Sequence, residues 1–210
     1  MPKYVSKFRD QAYRQNAGKF YDEMRGSRES TLAHLSNPSP SVRSAALHIS
    51  DNYWDGAKDP AFLGAWRRLG LADPSDGIRG TALMFLGSAF AKSKDLAESR
   101  FLAQIVLDPN TPKGVRWDAY QALRCVQQDV SLTDAVESLA VVLKEAIQND
   151  PASKEATTRA AEFRLRHPEV DWENAGRIDV SFVQQFLKSN GGDPAGIGAQ
   201  RPTKCTTDER

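Results

Sequence analysis

Apolar residues recur along the chain at spacings of three and four, in segments of about a dozen residues broken by Asn-Pro and Asp-Pro steps, a helical period. Tyr4, Phe8, Ala12, Phe20 and Met24 stand at multiples of four and predict an amphipathic helix over residues 4–24, interrupted at Gly18. Ser27 predicts a helix N-cap, and Asn37-Pro38 closes the helix that runs to Leu35. A second helix starts near Ser41 and carries Val42, Ala46, Ile49 and Tyr53 on one stripe. Asp59-Pro60 opens the next, with Phe62, Leu63, Trp66 and Leu69 apolar, and Asp73-Pro74 leads to Ile78, Ala82, Phe85, Leu86 and Ala89. A third pair combines residues 95–107 (Leu102, Ile105, Val106) with Val115, Ala119, Leu123 and Val126. A fourth places Leu132, Val136, Leu139, Leu143 and Ile147 before a helix that Asp150-Pro151 opens, with Ala156, Ala160 and Phe163 apolar. Val170 and Trp172 are expected to fold back onto the last pair, ahead of a short helix over 179–187 with Val183, Phe186 and Leu187 inward. Asn190-Gly191-Gly192 stops that helix. Residues 191–210, without an aromatic residue, read as a disordered tail.

The segments also repeat one another. SNPSPSVRSAALHI (36–49), ADPSDGIRGTALMFLGSAF (72–90) and LDPNTPKGVRWDAYQALRCV (107–126) share a Pro turn, an Ile-Arg or Val-Arg step and a helical run. Their arginines, Arg43, Arg79 and Arg116, recur about every 36 residues, the period of a helical solenoid. The phrase Asp73, Pro74, Ile78, Arg79, Ala82, Leu83 resembles the second half of a HEAT repeat. Asn37, Pro38, Val42, Arg43, Ala46 and Leu47 form a first copy, and a third carries two extra residues between Pro109 and Val115. Arg159, preceded by Thr158, marks a divergent fourth copy. The resemblance spans residues 27–167. It implies an all-α, right-handed α-solenoid of about four HEAT-like helix pairs in a single domain, 1–190. Residues 1–26 would cap the N-terminal end and 168–190 the C-terminal end. It further implies that the turn Asp and the repeat Arg form a ladder between neighbouring repeats, and that the chain is a curved scaffold, an adaptor or an immunity-like inhibitor, that binds another protein or peptide on its concave face.

Charge changes this picture little. The net charge of +1 gives no global field towards nucleic acid or anionic membrane, so neither is expected as a partner. The first twenty residues are the exception, with Lys3, Lys7, Arg9, Arg14 and Lys19 against Asp10 alone, and could serve as a cap or as a basic binding arm. Cys125 and Cys205 make no disulfide framework, MPKYVSKFRD has no apolar signal core, and no apolar run is long enough to span a bilayer. A reduced, cytoplasmic, monomeric protein is the expectation.

The chemistry of catalysis is sparse. His34, His48 and His167 lack Cys or carboxylate neighbours at metal-ligand spacing, so no metal site is expected. Gly191-Gly192 and Gly196-x-Gly198 precede no helix and form no dinucleotide fingerprint, and Cys125 has no evident base. No cofactor and no enzymatic activity are expected. The one enzyme alternative comes from resemblance. Trp54-Asp55-Gly56-Ala57-Lys58-Asp59 is similar to the Trp–Asp segment of HEAT-like DNA glycosylases that remove alkylated bases, but the near-zero net charge argues against a DNA groove.

Comparing the copies outward from each arginine locates a candidate binding face. Offsets −1, +3, +6 and +10 stay apolar and share one stripe, so they are assigned to the core. Offsets +1 (Ser44, Gly80, Trp117), +5 (His48, Met84, Gln121) and +8 (Asp51, Gly87, Arg124) change chemistry from copy to copy and cluster away from that stripe. Ser44, His48, Asp51, Met84, Trp117, Gln121 and Arg124 are therefore the candidate partner-binding residues, with Trp117 either the anchor or packed on Tyr120 or the neighbouring helix.

Overall fold

A computed structural model of the chain describes residues 7–127, 140, 143–144, 146–166 and 177–191, and among these every regular element is helical. The elements are α1 (Lys7–Ala17), α2 (Phe20–Gly26), α3 (Arg28–His34), α4 (Pro40–Trp54), α5 (Pro60–Ala72), α6 (Asp76–Ala89), α7 (Leu96–Leu107), α8 (Lys113–Gln127), α9 (Lys154–Arg166) and α10 (Val180–Ser189), with one 3-10 turn at Gly56–Lys58. Residues 143–144 and 146–149 are also helical. Tyr4, Phe8, Leu132, Val136, Leu139, His167, Val170, Trp172, Cys205 and the tail beyond Gly191 lie outside the described residues or side chains.

Local chemistry sets the boundaries. Ser27 accepts from the Ser30 amide and starts α3, while Asp59, Asp95 and Asp179 cap α5, α7 and α10 in the same way. Gly18, at φ 54°, divides the N-terminal segment into α1 and α2. The helix expected from Asp150-Pro151 begins later, at Lys154. Ser153 provides the cap there, its Oγ accepting from the Ala156 amide at 3.3 Å, while Pro151 lies in the preceding turn.

Consecutive helices pack as pairs, α3 on α4, α5 on α6 and α7 on α8. The second members also meet one another, α4 on α6 and α6 on α8. The apolar stripe read from the repeats lies between these layers. Val42, Ile78 and Val115 are buried, and so are Ala46, Ala82 and Ala119. One continuous core extends from Ala17 to Val126 and takes in Val183 and Leu187 of α10. That helix packs against α7, on the third pair. Ala156, Ala160 and Phe163 of α9 are buried outside this cluster.

Polar contacts about thirty residues apart tie the pairs together. Arg43 forms a two-pronged pair with Asp73 of the next turn, Nε to Oδ2 at 2.7 Å and Nη2 to Oδ1 at 2.8 Å, both side chains buried. Its remaining Nη1 donates to the Asn37 and Pro38 carbonyls at 2.8 and 3.0 Å. This is the expected ladder, but it has one rung among the described residues. Arg79 donates to the Gly70 carbonyl at 3.2 Å and does not meet Asp73. Asp108 accepts from the Asn110 amide at 2.9 Å and from Thr111 at 3.0 Å, so the two inserted residues satisfy it locally. Arg116 turns instead to the Val106 carbonyl at 2.7 Å. A second set of rungs, unforeseen from the repeats, joins the first helices. Arg28 pairs with Asp59 at 2.6 and 2.9 Å, and Arg67 with Glu98 at 2.5 and 2.8 Å.

Candidate partner-binding face

The candidate residues sit on α4, α6 and α8, and the structure divides them. On α6 the stripe facing away from the core meets α8. A Cβ on Gly87 would stand 2.6 Å from the Ala122 Cα, and one on Gly80 would collide with the Asp118 carboxylate. Both glycines are buried. Variation at offsets +1 and +8 was assigned to recognition, but on α6 it is corrected to packing. Neighbouring second helices lie side by side, and the missing side chains let their backbones approach. Met84 lies on the same stripe, four residues after Gly80 and three before Gly87, and remains exposed.

On α8, Trp117 is half-buried and packs on the core, with its ring 5.7 Å from that of Tyr120. Arg124 lies over the Tyr120 ring as well, its guanidinium carbon 5.8 Å from the centroid. Phe182 of α10 meets Tyr120 edge-on at 6.3 Å. Gln121 is buried, and its Nε2 has no hydrogen-bond partner. The structure therefore gathers Trp117 and Arg124 around Tyr120 on α8, with Gln121 buried beneath, while Met84 lies apart from them on the neighbouring α6.

On α4, Ser44, His48 and Asp51 are half-buried. His48 stacks on Tyr13 of α1, centroids 4.7 Å apart, and meets the edge of Phe85 at 5.3 Å. The repeat comparison could not reveal Tyr13 or Phe182 here, because both come from segments outside the repeats. Tyr120 stands at offset +4, with Leu47 and Leu83 in the other copies, and Trp117 packs on it as the alternative to an anchor role expects.

The segment similar to a glycosylase motif is engaged by the fold. The Trp54 indole N–H lies 2.9 Å from Thr31 Oγ1 and 3.1 Å from the Met24 carbonyl, and the Thr31 hydroxyl donates to that carbonyl at 2.5 Å. This triangle locks α2, α3 and α4 together. Asp55 ends α4 at φ 49° and pairs with Lys58 at 2.7 Å. The next residue, Gly56, has no room for a Cβ, which would stand 2.5 Å from Trp66. Asp59 caps α5 and holds Arg28, whose hydrogen bond keeps its carboxyl below the ordinary range.

Elsewhere, burial pushes the Glu98 carboxyl up, with Arg67 opposing, and Glu98 Oε1 has no hydrogen-bond partner. A cleft of about 390 Å³ opens at the turns beside the Arg43–Asp73 pair, with Leu35, Pro38, Ala65 and Leu69 in its walls and exposed Arg68 beside it. Among the described residues no group of three or more His, Cys, Asp or Glu could hold a metal ion, and no helix is long and apolar enough to cross a membrane. No family model matches the chain, and searches of the curated proteins and of the solved structures found no similar protein.

Proposed function

We propose that the chain is a non-enzymatic protein-binding module, a right-handed solenoid of about four HEAT-like pairs that holds another protein or peptide along the layer of second helices. The observation that carries this reading is the make-up of the second-helix layer on the neighbouring helices α6 and α8. There an exposed Met84 neighbours the helix that presents half-buried Trp117 and an Arg124 stacked on Tyr120. Aromatic and Arg side chains with an adaptable Met are the composition of interface centres. Ser44, His48 and Asp51 extend the surface onto α4, and Gln121 supports it from below. The polar groups of the Trp54–Asp59 segment are all used in capping or pairing, which favours a binding role over the glycosylase alternative. The even charge favours a protein partner over nucleic acid, and the reading places the protein in the cytoplasm as a monomer.

Met84→Glu together with Arg124→Glu tests this reading. Both side chains reach the surface, so the melting temperature should stay within a few degrees while partner affinity falls by about tenfold or more. Arg68→Glu, on the exposed side of α5, should leave affinity unchanged. The reverse pattern moves the site to the first helices. Release of alkylated bases from DNA by the purified protein, lost on changing Asp55 or Asp59, establishes the enzyme instead.

A further inference from the structure

The inner side of α4 already carries an occupant. Tyr13 of α1 lies flat on His48, with ring planes at 17°. His48 meets Phe85 of α6, and Phe85 meets buried Trp66 at 5.4 Å. Four rings thus run from α1 across α4 and α6 into the core.

α1 packs on α4 and on α2 along one side, and its other side is open. Of its described side chains only Ala17 is buried, while Gln11, Arg14, Gln15 and Asn16 are exposed. Its ion pair, Arg14 with Asp22 at 3.2 Å, joins two exposed groups, where such pairs contribute little. Arg14 also lies 4.6 Å over the Tyr21 ring, a contact with one side open to water. The helix ends at Gly18, whose φ is 54° and around whose missing side chain there is open space. In contrast, α2 buries Tyr21 and Met24 completely. The N-terminal segment therefore has two parts: α2 seals the core with Tyr21 and Met24, and α1 lies against α4 with Tyr13 and Ala17 turned inward. Segments with few buried contacts open at low free-energy cost.

We propose that α1 is a built-in occupant of the binding face, seating Tyr13 in a slot made by His48 and Phe85, and that the partner takes this slot by presenting an aromatic side chain from a helix of its own. This rests on the partner-binding reading above and names the kind of partner, an amphipathic helix with an exposed aromatic residue. The chain's own helix shows what the slot accepts. A flat ring covers the imidazole face, and an apolar edge stands behind it.

Carbethoxylation of histidines by diethyl pyrocarbonate, read by mass spectrometry on the full chain, tests the slot. Tyr13→Ala should raise the His48 rate by about fivefold or more, because opening of α1 limits access. His34, covered by Phe20 of α2 at 4.6 Å, should keep its rate. A synthetic peptide of residues 7–19, added to the variant at about 1 mM to match the weak affinity of so small a contact, should restore protection of His48. The same peptide carrying Tyr13→Ala should not. An unchanged His48 rate in Tyr13→Ala, or equal protection by the two peptides, overturns the proposal. If both histidines become reactive, Tyr13→Phe decides: protection of His48 by the phenyl ring supports the slot, and its loss overturns it. None of these readouts needs the natural partner, so failure of the slot leaves the partner-binding reading standing, and failure of that reading leaves the slot result intact.

Discussion

Arg43 shows how one side chain joins two helix pairs. Its guanidinium is saturated by Asp73 and by two turn carbonyls, and the pair is buried. Removing one partner strands the other, so Arg43→Ala should cost about 3–5 kcal/mol in urea unfolding. Arg116→Ala should cost only about 1 kcal/mol, because its structurally assigned contact is a carbonyl. Equal losses in the two variants would refute the single-rung account. The conserved-looking spacing of Asp73 and Arg79 within one repeat made Arg79 the natural choice from the sequence. What decides the pairing is the distance from Asp73 back to the preceding copy, and that distance is set by helix stacking. Glu98 gives a second residue-scale prediction. Burial raises its pKa, so the folded state holds this proton more tightly than the unfolded chain does. Its contribution to stability is full below the unfolded carboxylate value of about 4.3 and is lost as pH rises through the folded value. Glu98→Gln removes that loss. Its melting temperature relative to the parent should therefore rise between pH 4 and neutrality, a range set by the ordinary carboxylate value of about 4.3. The carboxyls of Asp59 and Asp108, held low by their hydrogen bonds, act in the opposite direction but cancel in this comparison. A constant difference across that range would contradict the assignment.

Among the elements, the contact between α6 and α8 depends on glycine. At Gly87 the neighbour is the Ala122 backbone, which cannot move aside without moving the helix. At Gly80 it is the end of the Asp118 side chain, which can rotate. Gly87→Ala should therefore destabilise by about 1–3 kcal/mol despite the better helix propensity of Ala. Gly80→Ala should be close to neutral, since that propensity gain of about 1 kcal/mol offsets a small rearrangement. Thermal melts of the two variants check the order, and a larger loss at Gly80 would contradict the packing. The loop before α7 supports the same region from its far end. The Lys92 and Lys94 amides donate to the Cys125 and Val126 carbonyls at 2.9 and 3.0 Å, satisfying the last turn of α8. Both lysines have positive φ, 61° and 55°. Helices, caps and the apolar stripe were legible in the sequence because they are set by local spacing and short-range hydrogen bonds. The α6–α8 approach was not, since a variable small residue looks alike whether it faces solvent or a neighbouring backbone.

The whole molecule combines a readable framework with a face whose use is inferred. The all-helical fold follows from periodicity, and the pairing of helices from the repeated phrase. The N-terminal segment was ambiguous between cap and arm because its charge and its aromatic residues point in different directions. The structure divides it at Gly18 into a buried α2 and a peripheral α1. The exposed or half-buried placement of Met84, Trp117 and Arg124, on the neighbouring helices α6 and α8, was legible. It was less so for His48 and Gln121, whose surroundings depend on α1 and on packing depth. The central claim is that the second-helix layer of α6 and α8 contacts a protein partner, and site-specific photo-crosslinking in the native cells tests it most directly. A benzophenone amino acid at Met84, 36% exposed, and one at Leu71, a more accessible position on α5 at 52%, form the comparison. The account predicts a discrete protein crosslink from Met84, lost on Arg124→Glu, and none from Leu71. Crosslinking from Leu71 with none from Met84 would contradict it.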